Sequence, residues 1–137
     1  MDKERRTPLI AGNWKMNKGP IEALGLVQDL RPMLKGLSSD VVLCVPYIDL
    51  PILVSELQET KIMLGAQNCH WEEKGAFTGE VSANMLRECG CSHVILGHSE
   101  RREFFGETDE TVNKRLCAAL QKNLTAIVCV GETLEQR

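Results

Sequence analysis

His98 stands where two sequence patterns meet. Before it runs Val94-Ile-Leu-Gly97, apolar and closed by glycine like a buried strand; after it comes Ser99-Glu-Arg-Arg-Glu-Phe104, which suits a short helix. Loop positions at such junctions concentrate catalytic groups. The positive end of a helix opposes a second positive charge, so the imidazole is expected to stay neutral and keep an N–H to donate. A surface or capping histidine fits the same place. In Gly12-Asn-Trp-Lys-Met-Asn17, alternation along an extended chain puts Asn13 and Lys15 on one side and Trp14 on the other. An amide and an ammonium together at the end of a parallel strand could bind an anion or stabilise charge developing on oxygen. As two solvated polar residues they would do neither. Cys89-Gly-Cys91-Ser-His93 gathers three possible metal ligands within five residues, but no second Cys or His pair stands at zinc spacing, and no metal is expected.

Positioning such groups requires strands and helices in register. Residues 41–45, 62–66 and 124–130 are short, apolar and bounded by turn formers, and 9–14 and 93–96 are weaker segments of the same kind. Between them, Ile21, Leu24, Leu30 and Leu34 fit one helical stripe. Val112, Leu116, Ala119 and Leu120 fit another, with Thr108 as its cap and Asp109 and Glu110 in its first turn. Segments 50–57 and 82–89 are shorter helix candidates. Strand and helix therefore alternate, which predicts an α/β fold with a parallel sheet, wound or closed into a barrel. The near-continuous apolar strands suit a sheet covered on both faces. No composition shift divides residues 1–137, so one domain is expected; the longest interruption, 68–81, contains Gly75 and Gly79 and has the length of a functional loop.

Composition narrows the classes. The 137 residues are 43% hydrophobic and 26% charged, an ordinary globular balance. The apolar runs at 41–45 and 126–130 are far below the roughly 20 residues of a membrane-spanning helix. The charged N-terminus lacks the apolar core of a secretory signal, pointing to the cytoplasm. A net charge of -3 with only the pairs Arg5-Arg6 and Arg101-Arg102 gives no footprint for nucleic acid. Six scattered cysteines without an export signal read as reduced thiols, and Asn123-Leu-Thr125 then has no meaning as a glycosylation acceptor. No glycine-rich nucleotide loop occurs.

Five segments carry a stronger signal: Ala11-Gly-Asn-Trp-Lys-Met-Asn17, Gly65-Ala-Gln-Asn68, Gly75-Ala-Phe-Thr-Gly-Glu80, Ile95-Leu-Gly-His-Ser-Glu-Arg-Arg102 and Cys129-Val-Gly-Glu-Thr-Leu134. In type and order they resemble the motifs of the triosephosphate isomerase family. The resemblance implies a TIM (β/α)8 barrel of roughly 250 residues, here incomplete, holding about five of its eight strands. It implies the interconversion of dihydroxyacetone phosphate and D-glyceraldehyde 3-phosphate through an enediolate, in glycolysis and gluconeogenesis, without cofactor or metal. Lys15 would pair with the substrate's negative charge and Asn13 would help hold its oxygens. His98 would be the neutral electrophile, a role inherited from the family. Glu100 and Ser99 would support them from behind. Thr78, Gly79 and Glu80 fall in what resembles the family's dimer loop, whose threonine reaches the neighbouring subunit's site, implying a homodimer.

The family's catalytic glutamate, its lid and its phosphate-binding turns have no counterpart in the 137 residues, so the chain by itself is expected to be inactive and poorly folded. A non-catalytic short form associating through 68–81 is the competing expectation, and another barrel enzyme sharing this half a third.

Overall fold

The computed structural model describes residues 6–132 and 135–137. The charged start at residues 1–5, and Thr133 and Leu134 of the last motif, lie outside the described residues. Five strands, β1 (Leu9–Asn13), β2 (Asp40–Val45), β3 (Ile62–Ala66), β4 (His93–Leu96) and β5 (Thr125–Val128), form one sheet in the order β1-β2-β3-β4-β5. Every pairing is parallel. A wound sheet reverses its strand order at a switch point, whereas sequential order throughout is that of a barrel's arc. The alternative left open by composition is thereby decided.

The helices are α1 (Pro20–Met33), α2 (Leu50–Leu57), α3 (Ala83–Glu88), α4 (Ser99–Phe104) and α5 (Asp109–Gln121). Alternation along the strands separates two apolar faces. Leu43, Val45, Leu64, Ala66, Val94 and Leu96 join Ala23, Val27, Leu53, Leu86 and Val112 in the layer beneath the helices. Val42, Cys44 and Ile95, with Met63, Ile127 and Cys129, make the opposite face. Gly65 keeps this inner face open. A Cβ there would stand 2.8 Å from Cys44 Sγ and 3.3 Å from Val42 Cγ2.

Several elements differ from expectation at their margins. The β1 ladder ends at Asn13 because Lys15 turns left-handed, at φ +55°. In α1 the buried positions are Ala23 and Val27, with Leu24, Leu30 and the C-cap Leu34 half-buried, whereas Ile21 is 89% exposed. In α5, Leu120 is 56% exposed and Arg115 is buried in its place. Hydrophobicity misassigned that face because Arg115 has buried acceptors waiting for it, described below. Ser82 and Thr108 each accept an N–H at their helix starts, and Thr108 forms a capping box with Thr111. Among the described residues no helix is long and apolar enough to cross a membrane.

Candidate active site

Asn13, Lys15, His98 and Glu100 converge on a cleft of about 300 Å³ at the C-terminal ends of the strands. A larger cavity of about 580 Å³ opens at the opposite end, around the last turn of α1 and the starts of β2 and β3. In a parallel arc the chemistry belongs at the C-terminal ends, where loops of different strands meet, so the smaller cleft is the candidate site.

Each group is held by its neighbours. β1 hands on to a turn in which Trp14 still donates its N–H to the Cys44 carbonyl at 3.0 Å. Lys15 then adopts φ +55°, a conformation that costs an L-residue about 1–2 kcal/mol. Its N–H is taken by Asn13 Oδ1 at 3.0 Å. Both side chains thus face the cleft, but a left-handed turn, not strand alternation, aims Lys15. Lys15 Nζ donates to Glu100 Oε1 at 2.5 Å. That bond, opposed by a smaller desolvation cost and aided by the charge of Lys15, holds the Glu100 carboxyl below the usual range.

His98 is the N-cap of α4, and its Nδ1 accepts the Glu100 N–H at 3.3 Å. The capping reading thus holds, and it leaves the other ring nitrogen directed elsewhere. A nitrogen that accepts carries no proton, which leaves the proton on Nε2. The other Glu100 oxygen, Oε2, lies 3.4 Å from the same Nδ1, so this carboxylate touches Lys15 with one oxygen and faces His98 with the other. Gly97 makes the turn at φ +68°, where a Cβ would stand 2.9 Å from both Arg102 Nη2 and Val112 Cγ2. Ser99 is exposed at the first position of α4.

Of the 68–81 excursion, Asn68 lines the cleft and the tip lies away from it. Thr78, Gly79 and Glu80 are exposed within the excursion and do not line the site. Its base is closed by the His70 N–H donating to the Val81 carbonyl at 2.8 Å. Arg115 reaches from α5 to donate to the Cys69 carbonyl at 2.6 Å and to Asn68 Oδ1 at 3.4 Å. Glu107, nearly fully buried, pairs with Arg101 and faces Arg115 Nε at 3.5 Å. Tyr47 donates its hydroxyl to the Asn68 carbonyl at 2.7 Å, and burial pushes its phenol well above the ordinary range. None of Tyr47, Gln67, Glu107 or Arg115 is assigned a role by spacing. Gln67 had its place in the Gly65-Ala-Gln-Asn68 motif as a signal, and Arg115 its charge on an otherwise apolar stripe.

The thiols offer no nucleophile at the site. Burial pushes Cys44 and Cys91 up to about 12 and Cys69 to about 11. Among the described residues no group of three or more His, Cys, Asp or Glu side chains could hold a metal ion.

The geometry has counterparts. The family model for triosephosphate isomerase matches residues 8–137. The chain is 55% identical over 132 residues to a triosephosphate isomerase of Clostridium botulinum, covering 96% of this chain and 53% of that protein. It is 54% identical, with the same coverage, to one of Caldanaerobacter subterraneus. A crystal structure of triosephosphate isomerase from Bartonella henselae superposes with a TM-score of 0.89 at 44% identity, over 95% of this chain and 54% of that one. The chain therefore spans about half the length of the curated relatives it matches. With sequential parallel strands, a cleft at their C-terminal ends and a family match over nearly all its residues, this chain belongs to the triosephosphate isomerase family.

Proposed function

We propose that this chain provides half of the active site of a triosephosphate isomerase. The observation that carries the proposal is the convergence of Asn13, Lys15 and His98 on one cleft, with Glu100 bonded to Lys15 and facing His98. In this reading the Lys15 ammonium attracts the phosphorylated triose and offsets negative charge on its oxygens. The Asn13 Oδ1 is engaged with the Lys15 N–H, leaving its NH2 group to donate to a substrate oxygen. His98 donates Nε2–H to the carbonyl oxygen as a proton leaves the neighbouring carbon, stabilising the enediolate; return of a proton to the other carbon completes the isomerisation. The group that removes the carbon-bound proton lies outside this chain. General acid-base catalysis is worth about 10² to 10⁴ in rate, so the chain alone is expected to be inactive.

The reading extends to a homodimer joined through residues 68–81, with Thr78 directed at a neighbouring site, and to a cytoplasmic location with no nucleic-acid or membrane partner. Exposed Phe77 and Met16 support the first. The test is an isomerase assay of the purified chain alone and mixed with a C-terminal complement made from a family relative. Activity only in the mixture supports the half-site. Activity in neither, from a folded mixture, favours a non-catalytic short form, and activity of the chain alone would refute the need for an external base.

A further inference from the structure

Gln67 follows β3 directly, yet its side chain ends on two other strands. Its Nε2 donates to the Lys15 carbonyl at 2.9 Å, beyond the end of β1, and to the Cys44 carbonyl at 3.0 Å, in β2. Both amide hydrogens are thereby used, and the orientation of the amide is determined, because a flipped Gln67 would set its oxygen against two carbonyl oxygens. The Cys44 carbonyl also accepts the Trp14 N–H, so both its lone pairs are occupied. β2 lies between β1 and β3, and this one side chain ties all three strand ends together. The residue it holds beyond β1, Lys15, is in a left-handed conformation at φ +55°, as Lys18 and Asn123 are elsewhere. A strained backbone persists only where its surroundings over-determine it. Asn13 Oδ1 takes the N–H of Lys15, Gln67 takes its carbonyl, and Glu100 takes its ammonium. The Glu100 contact is partly exposed and screened, so it cannot hold the backbone; the Gln67 amide acts on the backbone itself.

We propose that Gln67 is a positioning residue for Lys15, acting through the backbone to keep the ammonium aimed into the cleft; this rests on the role assigned to Lys15 above. Gln67 touches no reacting atom in this role. Removing its amide releases the turn, and the ammonium then samples directions away from the cleft while the strands stay paired.

The test uses isotope-labelled chain mixed with the C-terminal complement. In the unsubstituted protein, NMR couplings across the hydrogen bonds are expected from Gln67 Nε2 to the carbonyl carbons of Lys15 and Cys44, with a positive φ at Lys15. Absence of either overturns the proposal, and so does a mixture that does not fold. In Gln67→Leu, the melting temperature is expected to stay within a few degrees while Lys15 loses its positive φ and inorganic phosphate binds about tenfold more weakly, as expected for loss of one or two hydrogen bonds. Gln67→Glu, equal in size but presenting an acceptor to two carbonyls, is expected to do the same at neutral pH. Folded variants that keep the left-handed Lys15 and full phosphate affinity overturn the proposal, as does a failure of both to fold, which would make Gln67 a structural residue only. If the unsubstituted mixture folds but isomerises no triose phosphate, the isomerase reading fails, while the Lys15 conformation and phosphate affinity still decide the role of Gln67.

Discussion

Lys15 and His98 show how little freedom a candidate functional side chain retains once its backbone partners are counted. Lys15 has its N–H, its carbonyl and its ammonium each bonded to a different side chain. The ammonium is half-exposed, and its screened ion pair with Glu100 contributes little to stability. Lys15→Met is therefore expected to leave the melting temperature nearly unchanged while lowering kcat/KM of the complemented site by about 10² to 10³, the scale of losing one charge-stabilising donor. A loss below fivefold in a steady-state assay would remove Lys15 from the mechanism. For His98, the Glu100 N–H bond to Nδ1 predicts the Nε2–H tautomer. Its ¹⁵N shifts should show the proton of the neutral ring on Nε2 and a bare Nδ1; a neutral ring protonated on Nδ1 instead would contradict the donor role.

The elements owe their placement to turns and to a few buried polar residues. Gly97 joins β4 to the His98 cap at φ +68°, and a Cβ would meet Val112 and Arg102 at 2.9 Å. Gly97→Ala combines left-handed strain with overpacking, and urea unfolding of the complemented protein should show a loss of about 2 kcal/mol or more. An unchanged midpoint would mean that α5 yields easily. His93, nearly fully buried at the start of β4, has its imidazole pushed below the ordinary value by burial, with Asp40 opposing weakly. The folded state then binds fewer protons than the unfolded chain, so stability rises with pH. The contribution is complete above the unfolded value of about 6.5 and is lost as pH falls below it through the folded value. The complemented protein should melt lower at pH 5.5 than at pH 7.5, and His93→Gln should narrow that difference. An equal difference in the substituted protein would assign the effect elsewhere.

Taken whole, the described residues form an arc whose first and last strands each pair on one side only. Ile10 in β1 is 58% exposed and Val128 in β5 is 39% exposed. Unpaired apolar edges template association. The purified 137-residue chain is expected to elute from a sizing column above its monomer mass and to melt broadly, and the complement should convert it to a discrete species. A monodisperse monomer with a sharp, cooperative melt would show that the arc closes its own edges.

How much was legible in the sequence followed from whether the cause was local. Apolar runs bounded by turn residues located all five strands, most clearly β2, where burial on both faces imposes that composition. Asn13, Lys15 and His98 could be singled out from their places at strand ends, and the motifs carried the family. Spacing alone left open whether those three were functional or merely solvated, because that depends on which strand ends lie side by side. Only the tertiary structure, through parallel pairing in sequential order, brought residues 13–15, 67 and 98–100 into contact. The same holds for Arg115, which the sequence analysis did not single out: its burial is explained by Asn68 Oδ1, the Cys69 carbonyl and Glu107, which the fold brings up to it. Side-chain chemistry and local periodicity are properties of the sequence read in order, whereas the left-handed turn at Lys15 and the clamp from Gln67 exist only when three strands are packed edge to edge.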